Sequence, residues 1–402
     1  MSDGTARIRL GFLDGLRGLA ALYVLLGHAY VAIREPVDAA ASPALLKLLK
    51  LIDAGHFAVA VFIVLSGYLL MLPVARRADR RIPGGTGGYL RRRARRILPT
   101  YYAALALSAG LLLAFPWLLR PGDLTWGSIL WHAALLHNLS PRWVQSINGP
   151  MWSVALEWQI YFLLPLVLLP LMRRWGAAAA LAAGVALGLA PHFLLPANAN
   201  FDWTYPWYIG LFALGAAGAV VNVAPTPAAA ALRAWVPWGL IAGGLGALTL
   251  FILLFRLRWA WEYLWLTDLL LGLTVTCAIV YLARMQLALA AGQGQGSTNA
   301  PAQLALRVLD SRAVAGLGRF SYSMYLIHEP LLRLTAGFLL ALGLPAPALF
   351  AAQFLLAVPL VIGLCYLFYL PFERPFVRHA GRPPGRAGQP GTAPLPAKEP
   401  VS

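Results

Sequence analysis

Acidic residues are nearly missing from this sequence. Only 15 of its 402 positions are Asp or Glu, and charged residues of both signs make up 12%, about half the ~25% usual in a soluble domain. A chain this poor in charge cannot clothe a soluble surface, so a polytopic membrane protein is implied. Cysteine is as sparse. Cys277 and Cys365 both lie inside apolar runs, which excludes a disulfide framework and leaves the redox compartment unread. No internal repeat, parallel or inverted, is visible, so the usual sequence pointer to a secondary transporter is missing. A cleavable leader is not expected either. The first apolar run is too long and too polar at its start, and no small-residue cleavage site follows it.

Apolar and basic residues are what the chain has in quantity. It is 60% hydrophobic with a net charge of +17. The arginines lie in short loops between apolar runs, which fits membrane topology and not a nucleic-acid partner. Ten segments are long enough to span, at roughly 14–33, 56–75, 99–119, 152–172, 176–195, 205–222, 236–255, 261–282, 320–341 and 348–370. With the N-terminus inside, the inside segments hold 23 Lys and Arg and the outside segments 7. That bias assigns both termini to the cytoplasm, and an even number of spans agrees. The expected fold is an all-α polytopic membrane helical bundle with about ten transmembrane helices, integral to the cytoplasmic membrane. Residues 126–138 form a short interfacial or re-entrant piece. Its His132 and His137 are five apart, do not align on a helix, and have no acid nearby, so no metal site is read there. Residues 285–312 read as a Gln/Gly/Ser-rich cytoplasmic linker, and 376–402 as a disordered cytoplasmic tail.

Polar groups inside apolar runs are costly and mark sites. The first run carries Asp14, Arg17 and His28. Eleven residues separate Arg17 from His28, which leaves roughly 20° of rotation and about 16 Å of rise, so both share one face. Asp14 sits one turn before Arg17 on the same side. The second run holds Ser66-Gly67-Tyr68, which suits close helix packing as readily as a site. Nine arginines crowd residues 76–96, more than topology needs. If helical, Arg92 and Arg93 each share a face with Arg96, and clustered guanidiniums suit a ligand with several phosphates, or anionic membrane lipid. The fourth run begins around Pro150, Trp152 and Ser153 and buries Glu157 about one turn in. A carboxylate there pairs or protonates, and beside a His it can orient a general base. In the ninth run Ser321, Tyr325 and His328 fall on one face, able to line a channel or to hydrogen-bond a substrate.

Taken together, Leu13-Asp14-Gly15-Leu16-Arg17-Gly18 with His28, Phe62 through Tyr68, Arg92-Arg93 with Arg96-Ile97 and Pro99, Pro150 with Trp152-Ser153, Glu157 and Tyr161, and Ser321-Tyr322 with Tyr325 and His328 resemble acyltransferase family 3, the integral-membrane O-acyltransferases. The resemblance covers about residues 10–375, and residues 1–375 are taken as one membrane acyltransferase domain. It implies transfer of an acyl group, often acetyl, from acyl-coenzyme A to a hydroxyl of a sugar, glycan, lipid or small molecule. In that reading His28 is the general base and Glu157 supports it. Arg17, Arg92, Arg93 and Arg96 hold the donor's phosphates. Asp14, Ser66, Tyr68, Trp152, Ser153, Tyr325 and His328 contact substrate. The reaction needs no metal. The rival class is a proton-coupled transporter or flippase with Arg17, His28 and Glu157 as a relay, for which an arginine phosphate clamp has no use.

Overall fold

The structure, a computed structural model, describes residues 10–290 and 300–379. Among these residues the regular elements are all helical. The long helices are α1 (Phe12–Val31), α2 (His56–Ala75), α3 (Gly85–Ala114), α4 (Met151–Leu163), α5 (Leu169–Leu194), α6 (Tyr208–Val223), α7 (Trp238–Phe255), α8 (Leu264–Ala290), α9 (Ser321–Ala341) and α10 (Val358–Phe372). Six described helical stretches are long and apolar enough to cross a membrane, or up to eight if two sharply bent pairs are each counted as one span.

Each of the ten expected spans overlaps one of these ten helices, of which six to eight stretches have the length and apolarity of a span, and the differences have physical causes. Helix α3 starts at Gly85, well before the expected 99, so the five arginines between 91 and 96 are helical. Its 30 residues reach about 45 Å, some 15 Å more than a hydrocarbon core, and the arginine end is the surplus. Helices α4 and α5 join through a π turn at Leu164–Leu168 into a stretch of 44 residues, about 66 Å and twice a bilayer. It breaks at Gly176, whose φ of 88° is open to glycine. Helix α9 is 21 residues long but carries Glu329 and Arg333, paired at 3.8 Å.

Two expectations for the loops need correction. The expected linker 285–312 is largely helical. Helix α8 continues to Ala290, and Ala300–Leu309 and Arg312–Arg319 form two further helices, the second begun by the Ser311 hydroxyl accepting from Val314 N–H. The Gln/Gly/Ser-rich part falls at 291–299, outside the described residues. The expected disordered tail opens with a helix, Arg374–His379, and the rest of it lies outside the described residues.

Small residues set the helix crossings. A Cβ on Gly67 would stand 2.0 Å from the Phe212 carbonyl oxygen, and one on Gly215 would stand 2.0 Å from that of Val64. The backbones of α2 and α6 therefore touch, the close approach that Ser66-Gly67 permits. The Arg312–Arg319 helix meets α1 in the same manner, since a Cβ on Gly318 would stand 1.9 Å from the Asp14 carbonyl oxygen. Gly67→Ala should cost at least the ~1–3 kcal/mol of overpacking, because backbone and not a side chain must yield. A thermal melt of the detergent-purified variant checks this, and a wild-type midpoint would mean that α2 and α6 slide apart freely.

Candidate functional site

Eight helices turn polar residues into one cavity of about 1030 Å³. Helix α1 supplies Asp14 and Arg17; α3 supplies Arg93 and Arg96. Arg319, Arg374 and Glu373 close the same end. Five arginines against three carboxylates (Asp14, Glu157, Glu373) leave the lining with two surplus positive charges. Arg93 Nε is buried and has no hydrogen-bond partner among the described residues. An unpaired buried guanidinium nitrogen is costly unless an anion completes it.

Further along the cavity, α2 and α4 face each other. The Ser66 hydroxyl and the Tyr161 hydroxyl, at 2.6 Å, both donate to Glu157 Oε1. One helical turn earlier on α4, Ser153 Oγ lies 2.6 Å from Tyr325 Oη, and both hydroxyls lie within reach of the Pro150 carbonyl. Tyr325 packs against Phe62 at 5.7 Å between ring centroids and against His328 at 5.9 Å. His328 in turn meets His28 edge to face at 5.0 Å. His328 Nδ1 lies 2.8 Å from the Tyr325 carbonyl and 3.0 Å from that of Met324. Carbonyls only accept, so Nδ1 carries the proton and Nε2 keeps its lone pair. That Nε2 is buried and has no partner among the described residues.

The structure thus brings together Asp14, Arg17, Ser66, Arg93, Arg96, Ser153, Glu157 and Tyr325 on one lining. It places His28 and His328 just beyond the Tyr325 end of that lining. Three expected residues lie apart from it. Arg92 turns back and donates to the Pro83 carbonyl at 2.6 Å, because it points about 100° away from Arg93 on the same helix. Tyr68 is buried and accepts from Asn222 Nδ2 at 2.9 Å. Trp152 packs on Tyr205, with ring centroids 4.4 Å apart. Tyr322, a motif residue of the sequence reading, joins the lining, and Arg319, Tyr366, Tyr369, Glu373 and Arg374, which that reading did not single out, complete it. Glu373 follows an apolar run closely enough to be noticed; its oxygen accepts from Ser323 N–H at 2.9 Å and from Ser323 Oγ at 2.5 Å. His132 and His137 lie apart from the cavity. A turn with Leu135 at φ 53° stacks the two rings at 3.8 Å, and both are fully buried.

Residues 10–370 match the acyltransferase 3 family profile, described as "Acyltransferase domain". The chain belongs to acyltransferase family 3. Among curated proteins, the acyltransferase MdmB of Streptomyces mycarofaciens is 29% identical over 185 residues, 44% of this chain and 45% of MdmB. The chain thus spans about half the length of that relative. Protein 2 in the picA locus of Rhizobium radiobacter is 29% identical over 210 residues, 48% of this chain and 96% of that protein. No solved structure matches the chain.

Within this acyltransferase 3 domain, Glu157→Gln keeps an oxygen for Ser66 and Tyr161 but removes the charge. A hydrogen bond to a charged group is worth about 1 kcal/mol more than a neutral one, and Glu157 accepts two. Turnover is expected to fall about 10²- to 10⁴-fold through loss of the charge that supports the base, while the weaker hydrogen bonds lower the melting temperature by only a few degrees. A variant that loses its fold instead would make Glu157 a packing residue.

Proposed function

We propose that this protein is a membrane O-acyltransferase that moves an acyl group, acetyl first among them, from acyl-coenzyme A to a hydroxyl of a sugar, glycolipid, glycan or small metabolite. One observation carries the reading: a single cavity has arginines at one end, a carboxylate–hydroxyl wall along its length, and two imidazoles beyond the other end. Arg17, Arg93 and Arg96 suit the several phosphates of the donor. His28 lies about 16 Å further along α1 than Arg17, a span that a pantetheine arm can cover. His28 takes the proton of the acceptor hydroxyl. Its oxygen then bonds to the thioester carbonyl carbon, the carbon–sulfur bond breaks, and the thiolate leaves and picks up a proton. Glu157 offsets the positive charge that develops nearby. Ser66, Ser153 and Tyr325 hydrogen-bond the reacting groups.

In this reading the chain crosses the membrane ten times with both termini in the cytoplasm. Three features support it. The stretch Met151–Leu194 breaks at Gly176, two further helices are bent at their ends, and α9 has spanning length. The arginine-rich loops then share one side, where a cytoplasmic thioester would meet them.

The test is thiol release from acetyl-coenzyme A by the purified protein, with and without added alcohol. Alcohol-stimulated release is expected. A transporter or flippase that uses Arg17, His28 and Glu157 as a proton relay would release none.

A further inference from the structure

The proposed mechanism leaves the buried carboxylate Asp268 unused. Asp268 lies on α8, is 0% exposed, and its Oδ1 has no hydrogen-bond partner among the described residues. Its Oδ2 accepts from Trp207 Nε1–H at 2.8 Å and lies 3.3 Å from His56 Nε2. A buried carboxylate with one oxygen unpaired is costly and marks a candidate site.

His56 opens α2. Val59, Ile63, Ser66 and Leu70 all line the cavity, and His56 continues their helical spacing by one more turn on the same face. It therefore stands just past the far end of the cavity. Aromatic rings frame it: Tyr205 at 4.9 Å, Trp261 at 5.5 Å, and Trp152 at 6.1 Å and only 15° from parallel. Trp152 is the residue before Ser153, whose hydroxyl faces the cavity. Tyr205 reaches the imidazole with its backbone at φ 53°, a strained conformation for an aromatic residue, of the kind that clusters at ligand clamps. A His192–Asp202 contact of 2.8 Å ties down the same loop. The frame has an open side, since Trp261 is 41% exposed and the His56 side chain 11%. Finally, α1 and α2 cross where a Cβ on Gly27 would stand 3.6 Å from Gly55 Cα. His28 and His56 each follow one of these glycines, so they sit at the same level of the bundle.

We infer that His56, Asp268, Trp152, Tyr205 and Trp261 form the acceptor subsite and that it takes a ring-bearing alcohol, with the ring face against the indoles and a hydroxyl on His56. This rests on the acyl-transfer reading above. Asp268 accepts from His56 Nε2–H and so fixes the tautomer, which leaves the Nδ1 lone pair for the hydroxyl. His56 and Asp268 are positioning residues, and proton removal stays with His28.

The test uses the full-length purified protein, radiolabelled acetyl-coenzyme A, phenyl glucoside as the ring-bearing probe and glycerol as the ringless one. Trp261→Ala changes an exposed ring and should raise KM for phenyl glucoside about three- to tenfold. The rise should be larger for phenyl glucoside than for glycerol, and Trp261→Phe should restore most of the loss. His56→Gln should raise the same KM. An unchanged KM in both variants overturns the subsite. So does a wild type that releases thiol at a rate indifferent to phenyl glucoside. A wild type that releases no thiol with any alcohol overturns the acyl-transfer reading instead.

Discussion

Purified His28→Ala protein is expected to transfer no measurable acyl group to an alcohol while binding coenzyme A as the wild type does. General base catalysis is worth about 10²–10⁴-fold, and a methyl group leaves nothing to receive the proton. Donor affinity should survive because the arginines lie about 16 Å away along α1. The fold should survive as well, since His28 is only half-buried and its ring contact is with His328. Calorimetry with coenzyme A and a thiol-release assay on the same preparation separate the two effects. His328→Ala is the informative companion. His328 Nε2 is an unused acceptor 5.0 Å, ring to ring, from His28. If the His328 variant is inactive and the His28 variant is not, the base has been assigned to the wrong ring.

The Arg93→Gln, Arg96→Gln double variant should bind coenzyme A about 10²- to 10⁴-fold more weakly. Each lost charge-assisted contact costs about 1.5–3 kcal/mol, and each 1.4 kcal/mol is about tenfold. Seven of the nine arginines between 76 and 96 remain, so the orientation of the chain should not change. The wild-type affinity should fall as salt rises, and lysines at both positions should restore it only in part, because a point charge cannot reproduce bidentate geometry. The structure supplies a control that leaves total charge loss out of the explanation. Arg92 sits beside Arg93 but is turned to the Pro83 carbonyl, off the cavity. Arg92→Gln should leave donor affinity where it was. Equal affinity in the wild type and the double variant would move the donor site away from α3, with the cluster serving orientation or lipid contact.

By itself the sequence determined where the helices run and which polar residues are buried in them. Both are local properties: an apolar run of about 20 residues has to be helical in a membrane to satisfy its own backbone, and a charge within it is visible without knowing its neighbours. That logic found Asp14, Arg17, His28 and Glu157. The same logic reached Asp268, an acid in an apolar run, only after the structure had joined it to His56. Which helix faces meet was decided by the tertiary structure alone. Ser66 and Glu157 are 91 residues apart, and Ser153 and Tyr325 are 172 apart; no spacing rule connects them. They meet because α2 can be pressed onto α6 at Gly67 and Gly215 and α1 onto the Arg312–Arg319 helix at Gly318, and those crossings set how far each helix is rotated. Rotation also separated neighbours. Arg92 left the cavity that Arg93 entered, and Trp152 turned to His56 while Ser153 turned to the cavity, since consecutive residues on a helix point about 100° apart.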